Sequence, residues 1–516
     1  MNARFHNLAD CWRSSVEKFP RKTAAIYRDR AWSYAGLDRQ VRSLAWNLRE
    51  RFGVKSGDRV AIAMPNCIEF LIAYWSVIRL GAVVVPVNIR MKAESIRFIL
   101  GETEPHVLFL HSEVPPEARE PAADFLARGC CIGAELNLPG AVSFDSLTGD
   151  DRQPEFPDIR SEDLAVIVYT SGTTGQPKGP MLTHGDLLFN IKNTIIPHLF
   201  CHDDIHMLVV PLFHCTGLNS IITTSAYTGA TVVLAPRPDI RELVELVHRH
   251  RITTFLGVPT LFYFLATFKD LAQYDLSSLR LIAYSGSPMP PSTIAALRRK
   301  FPRVALHNFF GLTETISITN VLTTRDADRI PESVGKPLPE IGMKVIGDDG
   351  RTLGAGEIGE LCFHRDNVVR GYYRRPGLLE ESCVGEWFRT GDLAYIDEDG
   401  YLFLKGRKKE LIKVGGENVF APEVENCLLA HDDVLEAAVV GIPATGIRAY
   451  LGELVKAVVV LKPDRRDRDL RTIEQDLKRH CMKRLETYKV PQVIQFVEAL
   501  PRTPSGKVRK ADLRES

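Results

Sequence analysis

Thr170, Ser171, Thr173 and Thr174, three glycines and one lysine fall within the eleven residues Tyr169-Thr-Ser-Gly-Thr-Thr-Gly-Gln-Pro-Lys178-Gly179. This run follows the apolar stretch Leu164 to Val168 directly. A strand that opens into such a loop can hold a polyphosphate. Glycines (Gly172, Gly175) let backbone N–H groups turn toward an anion, the hydroxyls donate, and Lys178 adds charge. Surface turns use the same residue types, but the density and the Pro-Lys-Gly ending favour the phosphate reading. One phosphate loop is excluded by spacing. The pattern G-x-x-x-x-G-K-[ST] puts lysine after its last glycine, whereas Lys178 precedes Gly179 and Pro180 follows. Gly354-Ala-Gly-Glu-Ile-Gly359 fits G-x-G-x-x-G by letter. It follows a turn and runs into the strand-like Glu360-Leu-Cys-Phe363 rather than a helix, so it is no dinucleotide fingerprint.

Five more segments carry polar chemistry: Pro211-Leu-Phe-His214-Cys-Thr-Gly217, Tyr284-Ser-Gly-Ser-Pro288, Asn308-Phe-Phe-Gly-Leu-Thr313-Glu314, Trp387-Phe-Arg-Thr-Gly391-Asp392 and Pro504-Ser-Gly-Lys507. A Gly-containing turn at the end of a strand, as at Ser285-Gly286-Ser287, is where α/β sheets take ligands. A carboxylate such as Glu314 beside a triphosphate repels it unless a hard cation lies between them. An aspartate after glycine can accept from two hydroxyls at once. Each has a plainer reading as well: a core histidine, a tight connection, a helix cap, a turn aspartate, a solvated lysine. Cys201, His202 and His206 are too irregularly spaced to suggest zinc.

These segments need a scaffold. Over the first 400 or so residues, helical periods alternate with short β-rich runs: Arg59 to Ala63, His106 to Leu110, Thr231 to Ala235, Leu279 to Ala283, with a helix over Ile240 to His250. That alternation argues for α/β layers with largely parallel sheets. Phe70 to Val87 is broken by Arg79 and Gly81, and reads as a buried helix and a strand, Ala82 to Pro86, rather than a membrane span. From about Val334, short strands and Gly/Asp turns suggest a small β-rich unit. After Arg407 a second α/β unit carries strands over Ala437 to Val440 and Leu454 to Leu461 and a helix from about Asp469 to Leu485. The charged turn Gly406-Arg-Lys-Lys-Glu410 marks the boundary.

A chain of 516 residues is too long for one core. Its net charge of +1 argues against nucleic acid or an anionic membrane as partner. Ten cysteines without a C-x-x-C pair suggest a reduced interior, and the first residues carry no secretory signal, so a cytoplasmic location is expected.

Taken in order, the motifs resemble those of the adenylate-forming superfamily, and specifically its acyl-CoA synthetases, over nearly the whole chain. One departure is Pro180, where relatives usually carry a residue with a free N–H. The resemblance implies a multidomain α+β chain. Residues 1–406 would hold two α/β subdomains and a small β-barrel-like one, and residues 407–516 a small mobile α+β domain hinged near Lys409. It implies ATP, Mg²⁺ and coenzyme A. Thr170 to Gly175, Lys178, Ser285, Gly286, Ser287, Asn308, Phe309, Phe310, Gly311 and Thr313 would bind the nucleotide, with Phe310 on adenine and Thr313 at the α-phosphate. Glu314 and Thr174 would hold the metal. Asp392, helped by Arg407, would take the ribose, and Lys507 would bridge carboxylate and phosphate. His214, Thr216, Ser220, Tyr284 and Gly311 would line the acyl pocket, with Lys413, Gly415, Gly416 and Glu417 along the pantetheine path.

The implied reaction joins a carboxylic acid and ATP to acyl-AMP and pyrophosphate, then transfers the acyl group to CoA. An amino-acid adenylation domain that loads a carrier protein would place an aspartate where His214 stands, and a luciferase-like enzyme shares the same motifs. The pocket segments read as mostly apolar or small, which points to a fatty, alicyclic or aromatic monocarboxylate. The protein is expected to be a monomer or homodimer.

Overall fold

The computed structural model describes residues 5–170, 176–287, 289–502 and 508–514. Two large sheets carry the first two thirds of the chain. In a seven-stranded sheet, Arg59–Ala63 lies parallel between Val83–Pro86 and Val107–His111, and Leu164–Ile167 joins beyond Val83–Pro86. A nine-stranded sheet is built on parallel Thr231–Leu234, Ile205–Leu208, Thr254–Gly257, Leu281–Tyr284 and Ala305–Phe310. The apolar runs read from the sequence are these strands. They are buried on both faces because helices cover both sides, as parallel sheets require.

The segment read as a buried helix and a strand is the helix Ile68–Arg79 followed by the strand Val83–Pro86. The helix is buried along nearly its whole length, with Trp75 stacked on Trp12 at 4.9 Å between ring centroids. Among the described residues, no helix is long and apolar enough to cross a membrane. The helix Ile240–His250 starts on its Asp239 cap and ends in His248, Arg249 and His250, which suit the negative end of the helix dipole.

A smaller antiparallel sheet follows, with Gly359–His364 between Met343–Ile346 and Trp387–Ile396; Cys383–Val384 and Leu402–Arg407 both pair with Trp387–Ile396. The C-terminal elements have their own core. A three-stranded sheet of Val434–Pro443, Glu453–Leu461 and Val493–Phe496 packs with the helices Ala421–Leu429 and Leu470–Met482, through Val424, Leu428, Ile473 and Leu477 among others. Asp469 caps the second of these helices by accepting from Thr472 N at 3.0 Å.

The three loops of greatest chemical interest leave the C-terminal ends of parallel strands. They follow Leu164–Ile167, Leu281–Tyr284 and Ala305–Phe310. This is the side on which open α/β sheets bind ligands.

Candidate active site

The hydroxyl-rich loop is pinched shut at its base. Thr170 and Lys178 exchange both backbone hydrogen bonds, at 2.8 and 3.0 Å. Ser171, Gly172, Thr173, Thr174 and Gly175, between them, lie outside the described residues, as does Lys507. Beyond the pinch the chain is clamped by residues 371–373. Tyr373 N donates to Gly179 O at 2.8 Å, and Met181 N donates to Gly371 O at 3.1 Å. Pro180 sits between those two bonds, bridged to Tyr372, where the ladder asks nothing of its nitrogen, while its carbonyl accepts from Val168 N at 3.3 Å. The departure at Pro180 therefore costs no hydrogen bond here.

This clamp delivers Tyr372, a residue the sequence reading missed. Its ring lies under the Lys178 ammonium, 5.4 Å from nitrogen to centroid, and its hydroxyl donates to Glu314 Oε1 at 3.1 Å. Glu314 is anchored from its backbone too, since Val369 N donates to Glu314 O at 2.8 Å. Burial, with the Glu314 charge and hydrogen bond adding to it, pushes the Tyr372 phenol well above its usual range, so the hydroxyl stays a donor. A second tyrosine braces the loop: Tyr169 donates to Glu102 Oε2 at 2.5 Å, and Arg375 pairs with Glu102 Oε1 at 3.1 Å.

His214 is half-buried and Cys215 buried. Cys215 Sγ lies 3.7 Å from His214 Nδ1 and 3.8 Å from Thr313 Oγ1, which brings the two motifs, 99 residues apart, side by side. Downstream of His214 the chain forms a π-helix, Thr216–Ile222, a form often found at functional sites. Gly217 is needed there: a Cβ would sit 2.6 Å from Pro211 O. Gly311 is tighter still, with Ser317 O 1.4 Å from where its Cβ would be. The chain after Glu314 thus folds back onto the strand end, through positive φ at Ile316 (70°). That fold brings Ser317 Oγ to 3.0 Å from Ser220 Oγ.

Asp392 and Arg407 face each other across antiparallel strands, with Arg407 Nε 2.8 Å from Asp392 Oδ1. Gly391 turns at φ 73° ahead of the aspartate, and Arg407 also donates to Thr390 O at 3.1 Å. Ser285 donates its N–H to Gly257 O at 3.3 Å; Gly286, at φ 89°, has open space where a side chain would point, and Ser287 is exposed. Asn308 is tied to Ser333 O at 3.0 Å, and Phe310 stacks on Phe363 with centroids 6.5 Å apart.

Tyr284 is the exception among the expected pocket residues. Strand alternation turns it to the other face of the nine-stranded sheet, into the cluster with Phe255, Phe262 and Leu297, whereas Ala283 and Phe309 belong to the cluster on the face of the helix His184–His198. Its hydroxyl is buried without a partner among the described residues, and burial pushes it up to about 12.

Lys408–Glu410 makes a single 3₁₀ turn between the strands Leu402–Arg407 and Ile412–Val414. Lys409 is exposed there. Gly415 and Gly416 turn the hairpin Ile412–Val414/Glu417–Val419 with φ of 61° and 90°, and Lys413, Gly415, Gly416 and Glu417 are all exposed.

The chain is similar to known proteins. Residues 12–373 match the AMP-binding enzyme family and residues 423–507 match the AMP-binding enzyme C-terminal domain. An indoleacetate–CoA ligase of Aromatoleum aromaticum is 35% identical, over 96% of this chain and 95% of its own. A long-chain-fatty-acid–CoA ligase of Escherichia coli O157:H7 is 30% identical, over 99% of this chain and 95% of its own. The crystal structure of an anthranilate CoA ligase in complex with anthranoyl-AMP superposes with a TM-score of 0.87 at 26% identity, covering 99% of this chain and 97% of the other. With the Tyr372-held Glu314 carboxylate and the Asp392–Arg407 pair borne on this fold, the chain belongs to the AMP-binding enzyme family of adenylate-forming acid–thiol ligases.

Proposed function

We propose that residues 169–179, Tyr372, Glu314 and the Asp392–Arg407 pair hold ATP while a fatty, alicyclic or aromatic monocarboxylate attacks its α-phosphorus. The observation that carries this reading is the convergence on Tyr372. One aromatic ring supports the ammonium of the phosphate loop and, through its hydroxyl, fixes a carboxylate 136 residues further along the chain.

The chemistry follows from charge. A carboxylate approaching a triphosphate is an anion approaching an anion, and oxide is a poor leaving group from carbon. In the first half-reaction a carboxylate oxygen bonds to the α-phosphorus as the bond to pyrophosphate breaks. Lys178 and Lys507 offset the charge that develops on the phosphates. Glu314 is a hard oxygen ligand held at a fixed orientation by Tyr372, and it suits Mg²⁺; the Thr174 hydroxyl would be a second ligand. Magnesium, when bound, neutralises phosphate charge. Asp392 accepts from the ribose hydroxyls and Arg407 keeps that carboxylate oriented. In the second half-reaction the CoA sulfur attacks the acyl carbon and AMP leaves.

Residues 407–516 would turn about Lys409 between the two steps, bringing first Lys507 and then the hairpin of Lys413, Gly415, Gly416 and Glu417 to the site. The exposed hairpin and the single turn at Lys408–Glu410 support this division. The experiment is Lys507→Ala. It should abolish acyl-AMP formation while leaving thioester formation from supplied acyl-AMP largely intact. Equal loss of both half-reactions would refute the division of labour.

A further inference from the structure

The wall beyond the activating residues carries buried polar groups among its apolar ones. The helix His184–His198 is aligned to it by a capping box, with Asp186 N donating to Thr183 Oγ1 at 3.1 Å and Thr183 N to Asp186 Oδ2 at 2.9 Å. Asn190 of this helix joins two parts of the site. Its Nδ2 donates to Asn219 O in the π-helix at 2.7 Å, and its Oδ1 accepts from Ile318 N, next to Ser317, at 3.4 Å. Thr223 Oγ1 also donates to Asn219 O, at 2.6 Å. Ser220 and Ser317 meet beside it.

Several buried polar groups along this wall lack a protein partner among the described residues. The Asn219 side chain is fully buried, yet neither Nδ2 nor Oδ1 has a partner among the described residues. Asn193, on the same face one turn after Asn190, has an unused Nδ2. His198, eight residues after Asn190, shares Nδ1 with His307 Nδ1 at 3.0 Å and leaves Nε2 unused among the described residues. At 1.5 Å rise per residue these groups extend roughly 12 Å along the helix from Asn190. Unpaired buried polar groups are rare, and each is costly unless water or a ligand completes it.

We propose that the acyl group lies along this seam and that the enzyme selects carboxylic acids bearing hydrogen-bonding groups remote from the carboxylate: hydroxyl, carbonyl or ring N–H. This rests on the ligase reading above. A plain alkyl chain would expel water from Asn219, Asn193 and His198 and give them nothing in return. A site built to bond a polar group rejects the analogue that lacks it far more strongly than an apolar slot rejects an added hydroxyl.

The test measures kcat/KM for acid-dependent pyrophosphate release with matched pairs, decanoate against 10-hydroxydecanoate and 3-phenylpropanoate against 3-(4-hydroxyphenyl)propanoate. At least one hydroxylated acid should be preferred by about tenfold or more. Asn219→Leu should bring that ratio toward one. Asn193→Leu does the same for the longer pair and serves where the first variant does not fold, as judged by its melting curve. Equal or better turnover of both plain acids, or an unchanged ratio in both folded variants, overturns the inference. So does a crystal structure with acyl-AMP in which water alone completes these groups and the acyl chain lies elsewhere. Pyrophosphate release from no acid in the panel would instead sink the ligase reading, and this inference with it.

Discussion

Replacing Tyr372 with phenylalanine separates two jobs that one side chain does. The ring remains beneath Lys178, 5.4 Å from its nitrogen, so the cation–π contact is kept. The hydroxyl is lost, and Glu314 Oε1 loses the donor now 3.1 Å away. A hydrogen bond to a charged group contributes about 1.5–3 kcal/mol, which at about 1.4 kcal/mol per factor of ten corresponds to a loss of roughly 10- to 150-fold. That loss should fall on acyl-AMP formation, with a higher requirement for free Mg²⁺, because Glu314 would no longer be held. Tyr372→Ala should lose more, since the support under Lys178 goes as well. The assay is acid-dependent pyrophosphate release over a Mg²⁺ titration, with melting curves to compare folding. A phenylalanine variant as active as the parent, or no better than the alanine variant, would refute the role given to the hydroxyl.

Stability should fall in mild acid. Burial lowers His184, His206 and His307 from the ordinary 6.5 to about 4. The unfolded chain takes up these protons below about pH 6.5 while the folded chain does not, so stability is complete above that pH and is lost as pH falls toward 4. Three such groups give a slope of up to about 4 kcal/mol per pH unit. Urea midpoints that stay level from pH 7 to 5.5 would contradict this. Asp392→Ala should raise the KM for ATP by roughly 10- to 100-fold, the loss of a charge-assisted acceptor, with a melting temperature close to that of the parent; an unchanged KM would remove Asp392 from the ribose site.

Much of this site was legible in the sequence because it is local. The loop after Leu164–Ile167, the helix Ile240–His250 and the Gly turn after Leu281–Tyr284 follow from residue type and period alone. The pairing of Asp392 with Arg407 is also nearly local, since a turn at Asp397–Gly400 folds the two strands back on each other. Tyr372 was not legible. Its place depends on the backbone clamp between 371–373 and 179–181, nearly two hundred residues apart, and no motif marks it. Tyr284 was misplaced for a different reason. Neighbours on a strand face opposite ways, so only one of Ala283 and Tyr284 can face the helix His184–His198, and the smaller one does. The polar seam was hidden because its members read as ordinary helix residues until their unpaired atoms are seen together.

Exchange of labelled pyrophosphate into ATP without CoA tests the activating site most directly. If acyl-AMP forms reversibly at the Lys178, Glu314 and Asp392 site, exchange should require a carboxylic acid, should proceed without any thiol, and should disappear in Glu314→Ala. Exchange in the absence of acid, or release of ADP and phosphate in place of AMP and pyrophosphate, would contradict it.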